Sequence, residues 1–305
     1  GNYDAYLVKT DAQGNVTWEK TYGGNGRDEC FSVREMPEGG YILGGSSNSF
    51  GDTFRMYFIL TDAAGDSVWT TTHAQADWCR SVEPASDGGF IAAGGGYQGA
   101  CLLKMNDDGS RDWFHTLRNG GYNEDGYCAM ETPEGDFLLA GYKGLTNPEV
   151  LIFKLDATGD TVYTSKYGDA GADYCYSMFI NELGEYVLAG YTTSFNQDQG
   201  AMYILKLESD GTELWDQYYA HEETIGCWSA LQTDRGKYVL GGSIFQAGDD
   251  NFFLLKTGED GVPVEDNQFI PSPHRFELNP AYPNPFNPST TVSYTHLTLP
   301  TNREV

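Results

Sequence analysis

The sequence predicts an all-β fold in which short four-stranded sheets follow one another around an axis, a β-propeller with about five and a half blades present. Three observations predict it. A strand, glycine turn and second strand usually closing on Trp recur in six copies, at 6–18, 57–69, 101–113, 151–163, 203–215 and 253–265. A second hairpin lies between copies, as in CFSVREMPEGGYILGG and CRSVEPASDGGFIAAGG, and the whole repeats about every 44 to 52 residues. Glycine is abundant (38 residues) and aromatic residues make up 14% of the chain, as many short strands joined by tight turns require. A repeat of this length with four strands cannot bury both faces of its own sheet, so each sheet must cover its neighbour.

Within a repeat, strand A alternates. Cys30, Ser32 and Arg34 point to one side and Phe31, Val33 and Glu35 to the other. Arg80, Tyr127, Tyr176 and Trp228 take the place of Phe31 in later repeats. The A–B turn centres on Gly39, Gly88, Gly135, Gly184 and Gly236, where glycine tolerates positive φ. Strand B reads YILGG, FIAAGG, FLLAG, YVLAG and YVLGG; its closing glycines (Gly45, Gly95, Gly141, Gly190, Gly242) suit a bend or close backbone approach. Strand C carries Lys9, Lys104, Lys154, Lys206 and Lys256 in register, with Leu60 as the exception. Trp18, Trp69, Trp113 and Trp215, with Tyr163 as substitute, follow nine residues later on strand D. There a large flat ring can seal the gap between blades. In the last copy Glu265 replaces Trp and Pro263 interrupts the strand, marking an edge or the end of the ring. The count is five complete blades and one initial C–D half, which implies a parent of at least six blades.

Forty-four acidic residues against eighteen basic give a formal charge of −26. That disfavours nucleic acid and anionic membrane surfaces as partners, because both need Lys/Arg neutralisation. No run of eighteen apolar residues is present, so no transmembrane segment is expected. Of the six cysteines, Cys30, Cys79, Cys175 and Cys227 occupy one repeat position, and Cys128 lies two residues along the same register. Equivalent positions on adjacent inner strands are too far apart to bridge, so the cysteines are expected to be buried and unpaired.

The A–B and C–D turns are short and repetitive, which marks one end of the ring as scaffold. The B–C and D–A loops vary in length and chemistry, and variable loops on a rigid frame are where binding resides. Candidate ligand contacts there are Tyr97, Tyr122, Tyr142, Tyr167, Tyr191 and Tyr219, with Arg80 facing the channel from an inner strand. Carboxylates recur just before strand A. Asp28, Asp77 and Asp173, together with Asp249 and Asp250 in QAGDD, are the candidate Ca²⁺ ligands; the competing role is turn capping. No other cofactor is indicated. His73, His115 and His221 are isolated, and no catalytic motif accompanies them.

KTDAQGNVTWEKTYGG and KLESDGTELW resemble the outer hairpin of quinoprotein-type propellers, and the double glycines after strand B resemble kelch repeats. These likenesses cover residues 1–264 and imply the architecture, since scaffold-only relatives share the hairpin. Residues 276–294, FELNPAYPNPFNPSTTVSY, resemble the beginning of the C-terminal sorting domain of type IX secretion in Bacteroidetes-like bacteria. The motif is Tyr282, Pro283, Asn284, Pro285, Phe286, Asn287 and Pro288. The resemblance implies handling by the type IX machinery, export across the outer membrane, and later release or surface attachment. The domain reading is therefore a propeller over 1–264, a linker over 265–275 and the sorting segment over 276–294. The ending THLTLPTNREV, 295–305, is read as a non-native tail.

The function these features favour is a secreted or cell-surface propeller that binds without catalysis, its ligand a polysaccharide, peptide or surface protein. The alternative is a secreted hydrolase or lyase acting on polysaccharide through the channel, which would need a singular pair of carboxylates there.

Overall fold

Two kinds of tight hairpin generate the structure. In the C–D turn at Asp62, the backbone N–H groups of Ala64 and Asp66 both donate to the Asp62 carboxylate at 2.9 Å. Gly65, at φ 78°, returns its N–H to the Asp62 carbonyl. Asp11 and Asp156 repeat the arrangement. A residue with a Cβ would be strained at that φ, which is why glycine closes each turn.

The computed structural model describes residues 3–262 apart from 98, 117–123, 195–199 and 247–248. Every regular element among them is a strand. Residues from 263 onward, including the linker, the sorting segment and the tail, lie outside the described residues. The chain opens with a hairpin, β1 (Ala5–Thr10) and β2 (Val16–Tyr22). Four-stranded antiparallel groups follow. The first is β3 (Asp28–Glu35), β4 (Tyr41–Ser47), β5 (Arg55–Thr61) and β6 (Ser67–His73). The second is β7 (Trp78–Pro84), β8 (Phe90–Gly95), β9 (Cys101–Met105) and β10 (Arg111–Thr116). The third is β11 (Glu124–Glu131), β12 (Phe137–Lys143), β13 (Glu149–Leu155) and β14 (Thr161–Tyr167). The fourth is β15 (Asp173–Ile180), β16 (Tyr186–Thr192), β17 (Ala201–Leu207) and β18 (Glu213–Tyr219). Three strands, β19 (Thr224–Gln232), β20 (Tyr238–Gln246) and β21 (Asp249–Lys256), complete the described part. A pairing of Asp125 with Gly95 joins the second and third groups into one sheet.

The core lies between sheets. Ile42, Met56 and Phe58 pack on Val82, Phe90 and Leu103 of the next sheet. Ile91 and Leu102 pack on Leu139 and Leu151, Leu138 and Ile152 on Leu188 and Leu205, and Val187 and Ile204 on Ile225 and Leu240. Alternate residues of each buried strand thus face opposite neighbours, as a two-sided sheet demands.

The outer tryptophans wedge into the next sheet. Trp18 meets Tyr41, Trp69 meets Phe90, Trp113 meets Phe137 and Trp215 meets Tyr238, all edge-on at 5.5–5.8 Å. Each aromatic also covers the next C–D turn glycine: Gly65, Gly109, Gly159 and Gly261 for the tryptophans, and Gly211 for Tyr163. The Lys and Trp positions, nine residues apart in sequence, sit directly opposite one another, as in Lys104–Trp113 and Lys206–Trp215. Lys104 is 3% exposed and reaches the A–B turn at Asp87 (2.7 Å), tying strand C to that turn.

Strand A departs from simple alternation. A bulge falls after Cys30, Cys79, Gly126, Cys175 and Cys227, leaving one unpaired residue before Ser32, Ser81, Cys128, Ser177 and Ser229. The thiols of Cys30, Cys79, Cys175 and Cys227 donate to the carbonyl two residues on, at 3.2–3.4 Å. All six cysteines are unpaired. The Ser32 and Ser177 hydroxyls accept from Val82 N–H and Ala230 N–H of the next inner strand.

The bulge also explains the strand-B glycines. A methyl group on Gly45, Gly94, Gly141, Gly190 or Gly242 would stand 1.8–2.0 Å from a strand-A carbonyl oxygen. Close approach is therefore what these positions need. In the second group Gly94 holds the repeat position, correcting the sequence alignment that chose Gly95. The absent side chain of Gly95 instead makes room for the Asp125 carboxylate.

Candidate functional site

The unpaired bulge residues are Phe31, Arg80, Tyr127, Tyr176 and Trp228, one from each inner strand. A bulge re-aims its extra side chain, and here all five line a single cavity of about 370 Å³ on the axis of the sheets. Its size falls within the range of small-ligand sites. Phe31 and Trp228 are 43% and 49% exposed, so their rings are accessible from the channel.

The rings form a continuous path. Tyr127 meets Tyr176 edge-on at 4.9 Å, and Tyr176 stacks on Trp228 at 4.7 Å. Toward the ends of the strands that lead into the B–C and D–A loops, Tyr142 contacts Tyr127 and Tyr174 at 6.0 and 4.8 Å. Tyr174 contacts Tyr191 at 6.0 Å. Burial raises the phenol pKa of Tyr127, Tyr142, Tyr176 and Tyr191, so all four stay neutral donors near neutral pH.

Arg80 closes the other end of the path. Its guanidinium lies over Phe31, Trp78 and Tyr127 at 5.0, 5.3 and 5.4 Å. A cation among aromatic faces is stabilised by their quadrupoles. The buried Nε has no hydrogen-bond partner and sits 3.6 Å from Asp125 Oδ2. Asp125 is held by the Trp78 indole N–H, which is 3.1 and 3.2 Å from its two oxygens. Burial pushes the Asp125 carboxyl up to about 6, an effect that the Trp78 hydrogen bond and the Arg80 charge only partly offset. Lower in the channel, Arg34 pairs with Glu83 of the next inner strand at 2.6 and 2.7 Å.

Of the residues singled out from sequence, Arg80, Tyr142 and Tyr191 come together in this site. Tyr167 and Tyr219 instead brace the scaffold. Their hydroxyls donate to the carbonyls of Gly211 and Gly261 in the next C–D turn, as Tyr22 does to Gly65. Tyr97 lies on a B–C loop, 66% exposed, with its N–H 3.0 Å from Asp77. Tyr122 lies outside the described residues. Asp28 accepts from Ser47, Ser49 and Gly24, and Asp173 from Thr192, Ser194 and Asp169, each binding the loops of its own blade. Asp249 and Asp250 pair through the backbone with Gln246 and Phe245, and their side chains lie outside the description. Among the described residues no three His, Cys, Asp or Glu side chains converge as metal ligands would.

Sequence reasoning missed Asp125, Trp78 and Tyr174, and treated Tyr127, Tyr176 and Trp228 as scaffold. The signal was available in part. The position beside the small cysteine or glycine carries a large side chain in every repeat (Phe31, Arg80, Tyr127, Tyr176, Trp228), but the convergence of these side chains depends on the bulge.

The fold makes the chain a β-propeller. No protein-family model and no curated protein sequence matches it. Among solved structures, a protein of unknown function from Bacteroides caccae is 14% identical across 86% of this chain and 92% of that one, at a TM-score of 0.53. The Dos1 propeller is 13% identical across 84% and 60%, at 0.51. PorZ, a surface component of the type IX secretion system of Porphyromonas gingivalis, is 12% identical across 78% and 34%, at 0.47. Identities this low speak to the fold alone.

Proposed function

We propose that the protein is a secreted or cell-surface propeller that binds polysaccharide, without catalysis, at the aromatic mouth of its channel. The observation that carries this reading is the unbroken path of rings from Tyr127 through Tyr176 to Trp228, accessible on the axis and flanked by Tyr142, Tyr174 and Tyr191. Flat rings with polar rims suit sugar faces, whose C–H groups pack on the ring while hydroxyls reach the surrounding donors. Export is supported by the sorting-type motif at 282–288, and −26 net charge suits a solvated surface protein.

Among the described residues, the channel offers one buried carboxylate beside Arg80, and Glu83 is engaged by Arg34. A hydrolase would call for two carboxylates flanking one bond, so binding is favoured over turnover. The test is a glycan array with the full chain, with and without Ca²⁺, repeated with Trp228→Ala and Tyr176→Ala. Retention of a defined glycan set that falls about fivefold in both variants is expected, since stacking contacts of this kind contribute on the order of 1 kcal/mol. Clean negatives on all glycans, or release of sugar from any of them, overturns the reading.

A further inference from the structure

The polarity of the channel says more about the ligand. Among the described residues, two cations face it, Arg34 and Arg80. Arg34 is engaged at both Nε and Nη2 by the two oxygens of Glu83. Arg80 is not engaged in that way. Its nearest carboxylate oxygen is 3.6 Å away, beyond hydrogen-bond reach, because the Trp78 indole holds Asp125 in place and leaves Arg80 Nε unpartnered. About 30% of the side chain is open to the channel. Nε itself is buried against Asp125, so contact with a ligand falls to the part of the guanidinium open to the channel; a pre-positioned guanidinium that no carboxylate chelates can take one, and its planar fork gives geometry as well as charge. The aromatic path starts at this group, since Tyr127 touches both Arg80 and Tyr176.

Resting on the polysaccharide reading above, we infer that the ligand is an acidic glycan, in which the Arg80 guanidinium takes a uronate carboxylate while Tyr127, Tyr176 and Trp228 carry the adjoining sugar faces. The strongly negative surface of the protein makes this selectivity a local property. Away from Arg80 the field repels anions, so a polyanion without sugar faces for the rings gains little.

The experiment uses the full chain and two forms of one polymer, polygalacturonate and its methyl ester, with tryptophan fluorescence as readout. The acid is expected to bind at least about tenfold more tightly than the ester, the effect of one charge-assisted hydrogen-bonded contact. Arg80→Gln should abolish the preference, bringing acid and ester to the same affinity whatever that common affinity is. Arg80→Lys should recover part of the difference, because a point charge lacks the fork. Equal binding of acid and ester by the wild type overturns the inference and leaves the polysaccharide reading intact; so does an acid preference that survives in Arg80→Gln. The ligand-side comparison needs no variant, so it decides the matter even where Arg80→Gln folds poorly. Binding of neither form, with neutral glycans retained on the array through Trp228, also refutes the acidic ligand. Loss of all glycan binding refutes both readings.

Discussion

Gly190→Ala probes the feature on which both the sheet and the site depend. Gly190 pairs with Cys175 across the bulge whose extra residue is Tyr176. A methyl group there would lie 1.8 Å from the Tyr174 carbonyl oxygen and 3.1 Å from the Tyr203 ring. Reaching 3.0 Å, the shortest separation such atoms adopt, takes a shift of about 1.2 Å in a backbone that neighbouring pairs hold on both sides. Forcing extra atoms into a packed interior costs roughly 1–3 kcal/mol, and the obstacle here is a carbonyl that cannot rotate away, so a loss of about 3 kcal/mol is expected. Gly241, on strand B of the last described sheet, supplies the control: the nearest neighbours to an added methyl are 3.8 and 3.9 Å away. Without obstruction, Ala in a strand is favoured over Gly by about 0.5–1 kcal/mol. Urea unfolding followed by tryptophan fluorescence should therefore show Gly190→Ala strongly destabilised and Gly241→Ala neutral or slightly stabilised. Displacing Tyr174 and Tyr176 should also abolish glycan retention in Gly190→Ala. Two variants of equal stability would refute the steric account of the strand-B glycines and, with it, the bulge as the device that lines the channel.

Three further outcomes are expected. Trp69→Ala should cost about 3 kcal/mol in urea unfolding, because it removes an edge-on contact with Phe90 and a 3.1 Å bond to the Asp107 carbonyl; Trp69→Phe should lose only about 1 kcal/mol. Tyr219→Phe should destabilise by about 1 kcal/mol while glycan affinity stays unchanged, and a fall in affinity would return Tyr219 to the ligand site. Asp125 provides a pH test. Its carboxyl is raised from 3.8 to about 6 in the folded chain, so ionisation costs stability above pH 6 and the cost fades as pH falls from 6 toward 4. Asp125→Asn should accordingly stabilise the protein by on the order of 2 kcal/mol at pH 7.5 and have little effect near pH 4, and a pH-independent difference would contradict the burial argument.

Much of the architecture was legible because it is periodic. The Asp-to-Gly turn, the closing aromatic of strand D and the apolar runs of strands B and C recur in register. Each repeat answers the same local problem: a tight reversal, a sealed gap, two buried faces. The cysteine position was legible too as small and, at Cys79, Cys175 and Cys227, as buried, whereas Cys30 is half-buried; its role as the donor that satisfies the bulge carbonyl was not legible. What blurred the reading were insertions of one residue. FIAAGG carries an extra glycine, so the alignment chose Gly95 over Gly94, and strand A was read with strict alternation although one of its residues is unpaired.

Sequence by itself determined that successive sheets must cover one another and that an aromatic must stand at each outer seam, since those needs are local and repeat with the chain. Tertiary structure alone decided which side chains meet on the axis. Arg80, Asp125 and Trp228 lie on three different inner strands, far apart in sequence, and the bulge of each inner strand turns one large side chain toward the channel. That rotation is set by pairing across strands, which no stretch of a single strand records.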